Sequence, residues 1–80
     1  MEKTLGTDRH KALVDLLIEQ RKAIGMTQQQ FADSIDEHQS YVARLESGQR
    51  RVDVIEFLRF CSLLKLNPNE ALEKLQSIPE

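Results

Sequence analysis

The stretch from Thr27 to Gly48, TQQQFADSIDEHQSYVARLESG, admits few folds. Thr27 followed by Gln30 forms a capping box, and Met26 with Phe31 stand where a hydrophobic staple brackets such a box. Three local signals therefore place a helix start at Gln28. Phe31, Ala32 and Ile35 make the apolar edge of that helix, and the small Ala32 lets another helix approach closely. Asp36 and Glu37 break the run, and Asp accepts the left-handed backbone of a tight helix-to-helix turn better than most non-glycine residues. A further helix is expected from about Gln39 to Ser47, closing at Gly48, with Val42 and Leu45 buried and Tyr41 partly covered. Its outer side, Gln39, Ser40, Ala43 and Arg44, is a polar run that no core requires.

The flanking sequence supplies helices to hold this pair. Residues 1–6 carry no periodic pattern and are expected to form a flexible N-terminus, leaving 7–78 as a single domain. Thr7 or Asp8 caps a first helix of about 16 residues, with Leu13, Leu16, Leu17, Gln20 and Ile24 on its inner side and Gly25 closing it. Asp53 with Glu56 is an acidic capping pattern opening a fourth helix over about 54–65, whose apolar stripe reads as Val54, Phe57, Leu58, Cys61 and Leu64. Asn67, Pro68 and Glu70 start a fifth helix with Ala71, Leu72 and Leu75 on its apolar edge, and Pro79 ends it. An all-α chain of five helices follows, in agreement with only 4 aromatic residues, 3 Gly and 2 Pro in 80 positions.

Composition removes several classes of function. The lone Cys61 precludes an internal disulfide and a multi-cysteine zinc site, and His10 and His38 lack metal-ligand partners. No apolar run approaches the roughly 20 residues needed to span a bilayer, so no membrane association and a cytoplasmic location are expected. No nucleophile–base or paired acid–base spacing is present, which argues against an enzyme and against any cofactor. Net charge is −2, a poor start for neutralising phosphates, but the charge is sorted. Residues 38–51 carry three Arg against one Glu, so the positive excess lies beside the exposed polar run.

The order TQQQFADSIDEHQSYVARLESGQRR, preceded by QRKAIGM and followed by VIEFLRFCSLLKLNPNEAL, resembles the Cro and phage-repressor family of helix-turn-helix proteins, also called XRE-like. The likeness runs over roughly residues 9–75. It implies a five-helix, lambda-repressor-like fold whose third helix lies in the DNA major groove while the second crosses the backbone. On that likeness Thr27 and Gln28 meet a phosphate at a helix N-terminus. Gln39 and Ser40 lead the base contacts, with Gln able to pair bidentately with adenine. Ala43 touches a thymine methyl, and Arg44 either forks onto guanine or reaches a flanking phosphate. Gln49, Arg50 and Arg51 fall in the loop that runs beside the sugar-phosphate backbone, as electrostatic anchors. The family pattern is broken at Asp36, where the turn glycine is usual, at Glu37, where an apolar residue is usual, and at His38, where Ser or Thr commonly caps.

The resemblance implies a sequence-specific transcriptional regulator, a repressor acting by promoter occupancy, that binds double-stranded DNA as a homodimer on a near-palindromic operator. Plainer readings stand beside these roles. Gln28 is also ordinary filler in a polar first turn, Arg44 has Glu46 and Glu37 within reach for weak surface pairs, and Arg50 and Arg51 also fit a plain exposed loop. Tyr41 reads equally as a half-covered spacer and as a hydroxyl reaching a phosphate. Cys61 is a small core hydrophobe, while Phe60, Leu63 and Ile78 lie off the main stripes and are candidates for a dimer patch. The rival from another class is a protein-interaction module, an antitoxin or adaptor, engaging a protein partner through the acidic remainder.

Overall fold

A computed structural model describes residues 6–79; most of the expected flexible N-terminus, residues 1–5, lies outside the described residues. Five helices are present among them: α1 Asp8–Ala23, α2 Gln28–Ser34, α3 Gln39–Glu46, α4 Val54–Leu64 and α5 Pro68–Gln76. Each start falls where a local cap places it. Thr7 accepts from the backbone N–H of His10, and Thr27/Gln30 and Asp53/Glu56 form reciprocal capping boxes. Asn67 accepts from the N–H groups of Asn69 and Glu70 with Pro68 at the first helical position. Only α3 lacks this aid, because its N-cap His38 makes no side-chain hydrogen bond.

Four helices close by one device, a left-handed residue just past the last turn. At α1 the N–H of Gly25 donates to the carbonyl of Lys22 and that of Met26 to Arg21, both 3.0 Å. Asp36 and Glu37 repeat it for α2 and Gly48 and Gln49 for α3, while at α4 the N–H groups of Lys65 and Leu66 both donate to the carbonyl of Cys61. Two of the four left-handed positions are not glycine, Asp36 with φ 58° and Lys65 with φ 60°. Both carry a Cβ into a region that costs an L-residue about 1–2 kcal/mol. The joints are consequently short and direct α2 into α3 without slack.

The core gathers Leu17, Phe31, Ala32, Ile35, Val42, Leu45, Phe60 and Leu64, with a smaller group of Phe57, Cys61 and Ala71 beside it. Phe31 and Phe60 meet edge to face at 5.4 Å between ring centroids. Phe60 is therefore a central core residue and not part of a dimer patch, and Leu63 packs half-buried against the same core. Ile78 is half-buried, its carbonyl accepting from Arg9 Nε at 2.7 Å. The buried face of α4 is Phe57, Phe60, Cys61 and Leu64, so Val54 and Leu58 of the expected stripe turn outward, 71% and 48% exposed. On α1 the buried set is Val14, Leu17 and Arg21, again rotated from the expected Leu13, Leu16 and Leu17. Gln20, the polar member of that expected stripe, donates to the terminal carbonyls of Leu64 at 2.9 Å and Lys65 at 3.2 Å, satisfying the end of α4. Burial drives the Cys61 thiol above its ordinary range, in keeping with a packing role.

The left-handed closure at Lys65 predicts that Lys65→Gly raises the unfolding free energy by about 0.5–1 kcal/mol, relief of the Cβ strain outweighing the entropy of glycine. Lys65→Val lowers it, and urea denaturation of the three proteins measures the order.

Candidate nucleic-acid interface

The outward side of α3 rests on a buried ion pair. Arg21, near the end of α1, forks onto Glu46 at the end of α3, with Nε to Oε2 at 2.6 Å and Nη2 to Oε1 at 3.0 Å. Its Nη1 donates to the carbonyl of Met26 at 2.7 Å. The two side chains are 9% and 7% exposed, so the pair is closed to solvent, and each of the three guanidinium nitrogens has an acceptor. Neither residue stood out in the sequence as part of a site. The signal was there in spacing: Arg21 continues the series Val14 and Leu17 that the fold buries.

Glu46 extends the pair toward the surface. Its Oε1 also accepts from Gln28 Nε2 at 2.9 Å, and Gln28 Oε1 accepts from Gln39 Nε2 at 2.6 Å. Glu46 thus orients Gln28, and Gln28 orients Gln39. With its amide nitrogen committed inward to Glu46, Gln28 is a brace for Gln39. Thr27 is occupied within its capping box, its Oγ1 accepting from Gln30 N–H at 3.0 Å. Gln39 keeps its Oε1 acceptor and one N–H uncommitted.

Ser40 and Arg44 are exposed on the same side, and Ala43 is half-buried between them. Among the described residues the Arg44 guanidinium has no ion-pair partner, so the anticipated pairs with Glu46 or Glu37 do not form. Gln49 and Arg51 are exposed on the loop that leaves α3. Arg50 and Tyr41 differ. Arg50 lies over the Tyr41 ring at 4.3 Å, and its Nη2 donates to Tyr41 Oη at 2.8 Å and to Glu56 Oε2 at 2.6 Å. Tyr41 Oη in turn donates to Glu56 at 3.0 Å. The Tyr41 hydroxyl is raised above its usual pKa of 10.0, first by burial and further by Glu56, with Arg50 opposing. The structure brings Gln28, Gln39, Ser40, Ala43 and Arg44 to one face and ties Tyr41 and Arg50 to Glu56 at its edge.

A family model described as Helix-turn-helix matches residues 17–70. The chain belongs to the XRE-like helix-turn-helix family. Among solved structures it is similar to an XRE-family like protein from Pseudomonas syringae pv. tomato str. DC3000, at 43% identity and a TM-score of 0.82, covering 94% of this chain and 92% of that one. No curated protein matches the chain. Within the family α2 and α3 are the helix-turn-helix, in a fold of DNA-binding regulators that is not typically enzymatic. No helix among the described residues is long and apolar enough to cross a membrane.

Removing one half of the buried pair leaves an uncompensated charge. Glu46→Ala is expected to lower the unfolding free energy by about 3–5 kcal/mol, and Arg21→Met with Glu46→Leu together by much less. Urea denaturation of the single and double variants makes the comparison.

Proposed function

We propose that the chain is a sequence-specific DNA-binding transcriptional regulator, acting in the cytoplasm as a repressor by promoter occupancy, whose single domain over 7–78 lays α3 in the major groove as a homodimer. The observation that carries this reading is the braced orientation of Gln39, whose outward acceptor and donor match N6–H and N7 of adenine. Ser40 reads a neighbouring base edge weakly. Arg44, unpaired and one turn further on, forks onto guanine or a flanking phosphate, and Ala43 offers a methyl to thymine. Gln49, Arg51 and the first turn of α2 flank this face and meet phosphates. No part of this reading calls for a cofactor.

Dimer formation suits the electrostatics, because a chain of net charge −2 gains from doubling its phosphate contacts. The surface available for it is apolar: Val54 and Ile55 are 71% and 74% exposed, with Leu58 and Leu72 about half exposed nearby. These four are more exposed than the half-buried Leu63 and Ile78, and Phe60 is closed inside the core. Val54 and Ile55 open the helix that follows the loop leaving α3, and half-sites about one helical turn apart are what a dimer of this class requires.

Salt titration on random duplex separates this reading from a protein-interaction module: affinity falls steeply with salt for a DNA binder, and absence of binding at low salt overturns it. In site selection from a random library, Gln39→Ala and Arg44→Ala change the preferred operator, each shifting discrimination by about 1–3 kcal/mol, while Arg51→Ala weakens all sequences equally. Ile55→Asp is expected to shift the protein to monomer in sedimentation equilibrium, with the helical signal retained.

A further inference from the structure

The edge of the DNA-facing surface holds a cation that is already neutralised. Arg50 follows α3 by four residues and would be one of its phosphate anchors, yet its Nη2 meets Glu56 Oε2 at 2.6 Å and Tyr41 Oη at 2.8 Å. The stack on the Tyr41 ring keeps the guanidinium flat against the protein. Glu56 does two tasks at once. Its Oε1 accepts the N–H of Asp53 at 3.0 Å and so completes the capping box of α4, while Oε2 takes Arg50 and the Tyr41 hydroxyl.

That division shapes the ion pair. Glu56 turns Oε1 to the Asp53 N–H and meets Arg50 with Oε2 only, so the contact runs through Nη2 alone and lacks the two-oxygen fork that a guanidinium prefers. Arg50 Nε is left buried without an acceptor. The side chains of the pair are 32% and 27% exposed, so water and incoming anions reach it. A phosphate presents the two oxygens that Glu56 withholds. The contact is thus strong enough to place Arg50 and incomplete enough to be exchanged.

We propose that Glu56 is an affinity-limiting residue for DNA binding: it competes with backbone phosphate for Arg50 and keeps that arginine from counting as a full phosphate contact. The inference rests on the DNA-binding reading above. Glu56 acts by lowering affinity for all duplexes alike, which leaves the ratio between sequences unchanged and makes the contacts of Gln39 and Arg44 a larger share of the total binding free energy. Tyr41 serves as the platform that holds the competing pair together.

Glu56→Gln tests this cleanly. Gln at this position still completes a capping box, but its amide nitrogen faces the Arg50 donor and releases it. On random duplex the variant is expected to bind more tightly than wild type at 50 mM salt, with a log K against log[salt] slope steeper by about 0.9, equivalent to one added phosphate contact. Its affinity then falls about 3.5-fold more than that of wild type between 50 and 200 mM salt. In Arg50→Gln/Glu56→Gln the added slope disappears. Tyr41→Phe, which keeps the ring and the cap but removes the bridging hydroxyl, steepens the slope by a smaller amount and carries the test should Glu56→Gln fail to fold. A slope for Glu56→Gln, or for Tyr41→Phe in its place, no steeper than that of a wild type that binds duplex in a salt-dependent manner overturns the proposal and leaves the DNA reading standing. So does a gain that survives in the double variant, which would be a general charge effect. Absence of duplex binding by the wild type removes the DNA reading itself and the proposal with it.

Discussion

The buried fork between Arg21 and Glu46 is the contact on which the outward face of α3 depends. It joins the last turn of α1 to the last turn of α3, elements far apart in the chain, and it does so with directed hydrogen bonds where apolar packing alone would leave rotational slack. Taking two charges out of water is expensive, and the Coulomb attraction does little more than offset that cost. What the pair supplies is orientation. Because Glu46 divides Oε1 between Arg21 and Gln28, the direction of the Gln28 amide is set from inside the protein, and Gln39 inherits it. A side chain on an exposed helix face ordinarily samples several rotamers. Here the Gln39 amide is held to one side by its hydrogen bond to Gln28, and a side chain ordered in advance loses less entropy on binding any ligand.

Charge is arranged around that face with unusual economy. The chain is acidic overall, and the positive groups near α3 are few: Arg44 and Arg51 exposed, Arg50 drawn down onto Tyr41. Burial works against the Arg50 charge, but the hydrogen bond to Tyr41, and after it the fields of Glu56 and Glu37, outweigh burial and hold the guanidinium pKa above its usual range. Acidic residues beside a DNA-facing helix reduce attraction to any duplex, whatever its sequence.

The sharp joints have a simple origin. A left-handed closure ends α1, α2, α3 and α4, and between α1 and α2 and between α2 and α3 it leaves the next helix only a few residues away. Asp36 performs it between α2 and α3 with a strained left-handed backbone. An aspartate there keeps the turn geometry at some cost in stability and adds a negative charge where glycine would add none. α3 starts on His38 without a side-chain cap and is held instead by Val42 and Leu45 in the core and by Glu46 at its far end.

The sequence by itself determined where the helices begin and end, because caps, boxes and left-handed closures involve residues within about four positions of one another. Thr27 with Gln30, Asp53 with Glu56, and Asn67 with Pro68 could be read directly, and the family pattern between Thr27 and Gly48 followed from their order. The exposed set Gln39, Ser40 and Arg44 was legible for the same reason: the spacing of Val42 and Leu45 leaves them on the other side of α3. Which face of α4 turns inward was not. With apolar residues at Val54, Ile55, Phe57, Leu58, Phe60, Cys61, Leu63 and Leu64, several phases satisfy the period, and only the edge-to-face packing of Phe60 on Phe31 selects one. The partners of Arg21, Gln28 and Arg50 were equally a tertiary matter. Arg21 reaches Glu46 across 25 positions and Gln28 reaches it across 18, and no local rule ranks such partners above nearer charges. Packing five short helices decided those distances, and with them which polar groups brace the face and which remain to meet a ligand.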